Sequence, residues 1–355
     1  MKTLILLIIA LSLTALIHEF GHLITAKMFG VYCPEFSIGM GPLLFQKQYK
    51  ETKYSLRLFL IGGYVSMAGD GDNDEEDTEK LNIPEERYLR SIHPLKRIVV
   101  MYAGIFMNFV LAIFIIGLVL LNAGYYGVSS KPIIKEIIAD SPAETSGFEI
   151  GDEIQRIELS NGSSINVSNF TEMSAFLELY DGNGPWVISV NRDNEIKKIE
   201  VVPNFDETEQ RYLMGASFDS YKYKEVNIFN CFYYSCDYLW TMAKLTVNAV
   251  LELFKGIGMQ NLSGPVGMYT AIDEVSQVGY DYYFILIAMI SLSAGIMNAI
   301  PIPVMDGGRV VLTIIEMIIR KPINKKIENM LMAASVALLI MLFVFVTYND
   351  VLKLF

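Results

Sequence analysis

Residues 1–30, MKTLILLIIALSLTALIHEFGHLITAKMFG, decide how the rest of this chain must be read. The stretch is apolar and long enough for a bilayer crossing, which takes about 20 helical residues. It nevertheless carries His18, Glu19 and His22 in the spacing H-E-x-x-H. On a helix, positions i and i+4 share a face, so His18 and His22 can grip one metal ion while Glu19, one step along, reaches a water beside it. A charged side chain at mid-bilayer costs ~2.5 kcal/mol or more. Ionisable groups kept in such a place point to chemistry. Lys2 followed by an apolar run looks like the start of a signal peptide, but no small-residue cleavage site precedes HEFGH, so the segment reads as a retained span.

Of the 355 residues, 52% are apolar, in long blocks. Four segments are long enough to cross a membrane: Leu4 to Phe29, Ile98 to Leu121, Tyr282 to Ile302 and Met330 to Tyr348. Lys27, Lys96 and Arg97 flank the first loop, and Arg320, Lys321, Lys325 and Lys326 the last. The positive-inside rule makes those loops cytoplasmic and places both termini, with the segment between spans two and three, outside; Lys2 opposes this weakly. That segment, Asn122 to Asn230, holds 18 acids against 9 bases, and the run Asp70 to Glu79 is strongly acidic, within a net charge of −11. Solubility of exposed parts accounts for most of these acids. No basic stripe marks a nucleic-acid partner. The three cysteines, Cys33, Cys231 and Cys236, are too few for a disulfide scaffold and read as free buried thiols; Cys231 and Cys236 can pair only in an oxidising compartment.

The first loop alternates strand-forming runs, Phe36 to Met40, Pro42 to Gln48 and Tyr54 to Ile61, with Lys50 to Lys53 suited to a hairpin turn. Gly62, Gly63 and Tyr64 follow, and an edge strand from Gly62 to Met67 can hydrogen-bond an unwound peptide. The external segment reads as a compact α/β module. Strands KPIIKEII, PWVISVNRD and EIKKIEVVP surround a helix that starts at Ser168-Asn169 and turns Met173, Phe176, Leu177 and Tyr180 inward. Asn227 to Lys255 suits an amphipathic helix at the membrane interface.

Two histidines need a further protein ligand to hold zinc. His93, in Ser-Ile-His93-Pro94, is the remaining histidine and reads better as an interfacial imidazole. Asp306 is the better donor. It lies in Asn298-Ala-Ile-Pro301-Ile-Pro303-Val-Met-Asp306-Gly307-Gly308, where prolines and glycines interrupt an apolar helix. Irregular backbone at membrane depth is tolerated only where protein shields it or water reaches it. The alternative role for Asp306 is the N-cap of a helix from Gly307 to Ile319. Asn298 can donate to a developing oxyanion or hold a substrate backbone. Asn108, in the second span behind Gly104, serves either helix packing or substrate contact.

These motifs together resemble the site-2 intramembrane metalloproteases, in the bacterial branch that regulates sigma factors, over nearly the whole chain. HEFGH matches the family's first motif, and Asn298-x-x-Pro301-x-Pro303-x-x-Asp306-Gly307-Gly308 its second. The tract from Glu35 to Asp70 is similar to the family's membrane-reentrant β-hairpin, Asn261 to Gly267 to its Gly-Pro-Val-Gly segment, and Ser141 to Ile154 to a PDZ domain. Met305 and Ile105 stand where the family usually has Leu and Pro. The resemblance implies a multi-pass α-helical membrane protein with four transmembrane helices, a membrane-reentrant β-hairpin and one extracytoplasmic α/β PDZ domain. Its segments are a first span at 1–30, a cytoplasmic-side β region at 31–95, a second span at 96–122 and the PDZ domain at 127–205. An interfacial helix with the Gly-Pro-Val-Gly segment follows at 227–270, then a broken third span at 280–320 and a fourth at 328–349. One Zn²⁺ per chain is implied on His18, His22 and Asp306, with Glu19 and Asn298 catalytic and Gly62, Gly63, Tyr64, Asn108 and Pro301 on the substrate. The implied partners are the lipid bilayer and single-span substrates, such as anti-sigma factors or signal-peptide remnants trimmed by an earlier protease, which the PDZ domain docks or filters. A non-catalytic, metal-bound PDZ scaffold is the competing reading, but structural zinc is usually closed by four protein ligands and three good ones are present. A metal transporter would need ligands along several spans, and spans two and four lack acids and histidines. Co²⁺ and Fe²⁺ accept the same donors as zinc.

Overall fold

The computed structural model describes residues 2–70, 83–178, 184–207, 211–256 and 262–352. Most of the acidic run, together with Tyr180 and Asn261, lies outside the described residues. In chain order the elements open with α1 (Lys2–Met28), β1 (Glu35–Tyr49), β2 (Thr52–Ser66) and α2 (Pro94–Ala123). Next come β3 (Tyr125–Ser129), β4 (Ile134–Ile137), α3 (Pro142–Thr145), β5 (Glu153–Leu159), β6 (Ser164–Asn166), α4 (Phe170–Glu178), β7 (Trp186–Arg192) and β8 (Glu195–Val201). Then follow β9 (Asn204–Asp206), β10 (Arg211–Leu213), β11 (Ala216–Phe218), β12 (Tyr221–Glu225) and α5 (Cys231–Phe254). The chain closes with α6 (Pro265–Val278), α7 (Tyr280–Ala299), α8 (Asp306–Ile319) and α9 (Lys325–Leu352). No cysteine among the described residues is in a disulfide, and only Cys33 of the three is fully buried.

Two compact units emerge. The first comprises residues 1–119, 235–243 and 263–355. Among the described residues, α1, α2, α7 and α9 are the helices long and apolar enough to cross a membrane. On α2 the exposed residues Val99, Tyr102, Phe106, Val110, Phe114 and Leu118 recur every three or four positions, while Val100, Gly104, Asn108, Ala112 and Ile115 are buried. A helix with an apolar face turned outward is what a hydrocarbon solvent requires. The two strands of the hairpin turn at Lys50 and Glu51, where Lys50 adopts φ 53°, and both bend. Phe36 therefore faces Tyr54 on one side and Val65 on the other, while Lys47 also faces Tyr54. The segment from Gly63 to Ser66 thus forms one edge of a curled sheet. Leu43, Leu44, Phe45, Leu58, Phe59 and Leu60 are exposed along it. At the far end of the unit the buried carboxylate of Asp350, on α9, accepts the N–H groups of Gly264 and Gly267 at 2.8 Å each. A carboxylate from another helix thereby satisfies donors that the first turn of α6 leaves open.

The second unit comprises residues 120–234 and 244–262. Its main sheet has the order β6-β5-β7-β8, all neighbours antiparallel. Ile154 and Ile157 of β5, on either side of a register shift, and alternate side chains Trp186, Ile188 and Val190 of β7 form the core against Met173 of α4. The start of α4 is fixed reciprocally: Asn169 Oδ1 accepts the Glu172 N–H at 3.0 Å, and Glu172 Oε2 accepts the Ser168 N–H at 3.1 Å. Two further pairings, β4 with β11 and β3 with β12, carry the strand pairing of this unit from Tyr125 to Glu225.

The fully buried Asp152 receives both arms of Arg192, Nε to Oδ1 and Nη2 to Oδ2 at 2.7 Å each, and Arg192 also donates to the Gly147 carbonyl at 2.9 Å. Removing one partner of such a pair leaves a buried charge, at a cost of about 3–5 kcal/mol. Burial pushes the Asp152 carboxyl up, but Arg192 and the Glu149 N–H outweigh it and hold the pKa below the ordinary value. The pair's contribution is therefore full above the ordinary carboxylate pKa of about 3.9 and drains away as pH falls below it. Hydrogen exchange at β7 should show Arg192→Met opening far more readily than wild type at neutral pH. The difference between wild type and Asp152→Asn should shrink below about pH 4; a difference that grows in acid would contradict this account of the pair.

Candidate metal centre and its cavity

The centre is assembled from α1 and the start of α8. One turn apart on α1, His18 and His22 bring their Nε2 atoms to 3.2 Å, and Asp306 Oδ2 lies 3.0 Å from the first and 3.3 Å from the second. The three side chains are 11%, 7% and 15% exposed, respectively. They are the group of three metal-ligating types that the described residues bring together.

The backbone explains why they meet. Helix α7 stops at Ala299, because Pro301 and Pro303 cannot continue it. Gly307 and Gly308 then nest on the carbonyls of Ala299 and Ile302 so tightly that any Cβ would overlap them. This places Asp306 as the first residue of α8, with Met305 before it and no side-chain cap bond. The Asp306 carboxylate is thus turned to the imidazoles rather than used as a cap. Across from them, Gly104 of α2 lies against both rings; a Cβ there would stand 2.8 Å from His18 Nε2 and closer still to His22 Nε2.

Hydrogen bonds fix the ring states. His22 Nδ1 is 2.8 Å from the Val100 carbonyl, an acceptor only, so Nδ1 carries the proton and Nε2 presents a lone pair to the cluster. His18 Nδ1 meets the amide of Asn108 at 3.2 Å. A half-turn of that amide puts Oδ1, which has no partner in its buried position, where it accepts the His18 Nδ1–H. His18 Nε2 is then a second lone pair. Asp306 Oδ2 is buried without a hydrogen-bond donor. Three electron-pair donors converging on one point, each backed by protein, fit a divalent cation.

A cavity of about 580 Å³ opens beside the cluster, with His18, Glu19, His22, Asn108, Asn298 and Asp306 in its wall together with Gly62, Tyr64 and Val65 of β2. Glu19 Oε2 accepts the Val65 N–H at 3.1 Å. The phenol of Tyr64 is tied into the hairpin by Arg57 Nη2 at 2.9 Å, and that guanidinium also holds Glu35 at 2.9 Å. Gly63 packs against the Ser37 carbonyl, and Pro301 is exposed; neither is in the cavity wall. His93 stands apart from the cluster and accepts the Leu95 N–H at 3.3 Å at the start of α2. Sequence reading missed Asp70 and Arg309, which pair at 2.9 and 3.0 Å in the cavity wall. A cation one turn beyond Asp306 was a usable signal for Arg309. The Val65 N–H and Val100 C=O are backbone groups and leave no trace in residue type.

Two imidazoles, a carboxylate, a neighbouring glutamate and an amide-lined cavity in a helical, apolar unit make the class of the molecule a multi-pass membrane protein with a peptidase-type metal centre. The chain belongs to peptidase family M50, the site-2 proteases; the family model matches residues 6–342. Similar curated proteins include one from Clostridium perfringens, 31% identical over 350 residues, covering 97% of each chain. Another, from Fusobacterium nucleatum, is 29% identical over 362 residues and covers 99% of each chain. A third, from Staphylococcus aureus, is 27% identical over 435 residues, again covering 99% of each. All three bear the name "putative zinc metalloprotease".

Gly104→Ala should abolish metal binding, since the new methyl occupies the space of the ligand nitrogens. Asn108→Leu should weaken it about 10–100-fold, the usual effect of removing an outer partner of a ligating histidine. Zinc per chain, titrated on purified protein against a competing chelator, measures both; unchanged affinity in each would remove α2 from the account of the centre.

Proposed function

We propose that the protein is an intramembrane zinc endopeptidase that holds one Zn²⁺ on His18, His22 and Asp306 and cuts peptide bonds within transmembrane segments. The observation that carries this reading is the convergence of three lone-pair donors, two of them backed by Val100 and Asn108, beside Glu19 in an apolar unit. Zinc, when bound, polarises a carbonyl and makes water acidic enough to act as a nucleophile near neutral pH. Glu19 has one carboxylate oxygen occupied by the Val65 N–H, so its other oxygen takes the proton from the attacking water and returns it to the nitrogen of the leaving amine. Asn298, in the same wall, donates its amide N–H to the oxygen of the carbonyl under attack. Gly62, Tyr64 and Val65 form the sheet edge on which an unwound substrate segment adds as a strand. The apolar hairpin face, with Leu43 to Phe45 and Leu58 to Leu60 outward, suits a sheet that re-enters the membrane.

The substrates in this reading are single-span membrane proteins or peptides, such as anti-sigma factors or signal-peptide remnants. The positive-inside rule places the metal near the cytoplasmic side, and the termini and the second unit outside. That unit serves as a PDZ domain that docks or filters substrates trimmed by an earlier protease. Helix α5, with Phe232, Tyr233 and Trp240 exposed, suits the membrane interface. A metal-bound PDZ scaffold without catalysis is the competing reading, and one substitution separates them. Glu19→Gln should retain zinc and lose about 10²–10⁴-fold in cleavage of a co-reconstituted single-span substrate, whereas His22→Ala and Asp306→Ala should lose the zinc itself. Cleavage undiminished in Glu19→Gln would leave the scaffold reading standing.

A further inference from the structure

The wall of the catalytic cavity follows α1 well past the metal centre. Leu11, Thr14 and Ala15 line it as well as His18, Glu19 and His22, and Ile290 and Ala294 of α7 line it as well as Asn298. Each set recurs at three- or four-residue steps, so each is one face of its helix. Thr14 stands one turn from His18, about 6 Å along the helix axis. The sheet edge keeps pace with α1. Ser12 donates to the Leu60 carbonyl, the Val65 N–H donates to Glu19 at 3.1 Å, and Ile61 and Gly62, between these two ties, are in the same wall.

Thr14 is the exceptional residue of this extension. It is 5% exposed, and its Oγ1 is buried with no hydrogen-bond partner among the described residues. A threonine in an apolar helix ordinarily gives its hydroxyl to the carbonyl one turn back. Thr25 on the same helix does so to Gly21 at 2.9 Å, and Thr313 on α8 does so to Arg309 at 2.9 Å. Thr347 on α9 also lacks a partner, but it is not in the cavity wall. A buried hydroxyl without a partner costs free energy. In the wall of a substrate cavity, a bound group supplies the missing partner.

We propose that this extension is a side-chain subsite that selects a hydroxyl-bearing residue, serine or threonine, in the unwound transmembrane stretch of the substrate, with Thr14 as its hydrogen-bond partner. The proposal rests on the peptidase reading and adds a specificity to it. A peptide added to the sheet edge rises ~3.3 Å per residue, so a group one helical turn from His18 meets the residue about two positions from the bond being cut. The extension is otherwise apolar, with Leu11, Ala15, Ile61, Ile290 and Ala294. A charged side chain would be unpaired there. An amide would bring two donors and an acceptor and leave most of them unmet, whereas two hydroxyls satisfy each other through one bond. In an intact transmembrane helix the substrate hydroxyl is held by its own backbone. Unwinding releases it where Thr14 stands ready. Thr14 does not touch the reacting atoms, and its role is specificity.

The test uses the full-length zinc-loaded protein in vesicles and pairs of single-span substrates. Each pair differs only in carrying threonine or valine at one position, scanned over three positions on either side of the cut bond. Threonine and valine share their branching and have nearly equal helix propensity, so ease of unwinding does not separate them. At one position, about two residues from the bond, wild type should cut the threonine substrate about fivefold better in kcat/KM, the effect of one buried neutral hydrogen bond. Elsewhere the pairs should be cut alike. Thr14→Val should bring that ratio to one and Thr14→Ser should keep it, both with the zinc content of wild type. The non-cleaving Glu19→Gln protein should show the same ratio in Kd for the two intact substrates. Equal cleavage within every pair by wild type overturns the proposal, and this scan decides whether or not a variant folds. A preference that survives Thr14→Val also overturns it, even where that variant slows both members of the pair, since Thr14 would then only be packing. If zinc-loaded wild type cuts no substrate of the series, the peptidase reading itself has failed, and that result is distinct from the others.

Discussion

The lone pairs of His18 Nε2, His22 Nε2 and one Asp306 oxygen face one another within 3.3 Å, inside an apolar surround where electrostatic terms are large. Without a cation between them the arrangement is repulsive; with one, each becomes a ligand. Much of the helical unit can be understood as the means of holding that convergence. Helix α2 must come close enough for Gly104 to touch both rings and for Val100 and Asn108 to fix their tautomers. The break between α7 and α8 must fold back tightly enough, over Gly307 and Gly308, to aim Asp306 at α1. Arg97 ties α2 to α8 through Thr313 at 3.1 Å and through Glu316, so the two halves of the ligand set are joined by a polar clasp as well as by packing.

The hairpin solves a different problem. Lipid supplies neither water nor hydrogen bonds, and a transmembrane helix keeps its carbonyls engaged. In the proposed reading, the sheet edge in the cavity wall offers backbone groups to a peptide that has let go of its own. Here that edge is anchored twice: the Val65 N–H to Glu19, and the chain just beyond it through Asp70 to Arg309, one turn after Asp306 on the same helix. Strand edge, Glu19 and the helix of Asp306 are therefore joined by a hydrogen bond and an ion pair.

How much of this was legible in the sequence depends on the range of the interaction. The helical period put His18 and His22 on one face, and the clash between an apolar run and the Pro301, Pro303, Gly307 and Gly308 cluster marked the break; both are local patterns. The start of α4 was legible for the same reason, because Asn169 accepts the Glu172 N–H and Glu172 the Ser168 N–H, all within four residues. What stayed hidden involves partners distant in sequence or carried by backbone. Residue type could not reveal that Val100 offers its carbonyl or Val65 its N–H, nor that Asp350 closes the N-terminus of α6 from 83 to 86 positions away. The short strands β11 and β12 lack the length for a periodic signal, and only their pairing with β4 and β3 gives them meaning. Likewise residue type could not show that Arg57 donates to the Tyr64 hydroxyl.

In the proposed reading a metal, a general base and an amide donor act on the peptide group, which every substrate shares. Nothing in the three donors, Glu19 or Asn298 distinguishes one side chain from another, so selectivity must be exercised where the rest of the substrate lies. Apart from the named groups the wall of the catalytic cavity is largely apolar and contributes shape. Charge discrimination requires fixed, partly desolvated ions that are not already neutralised internally. In the proposed reading, chemistry that reads only the backbone belongs at the metal, and recognition of substrate side chains belongs away from it.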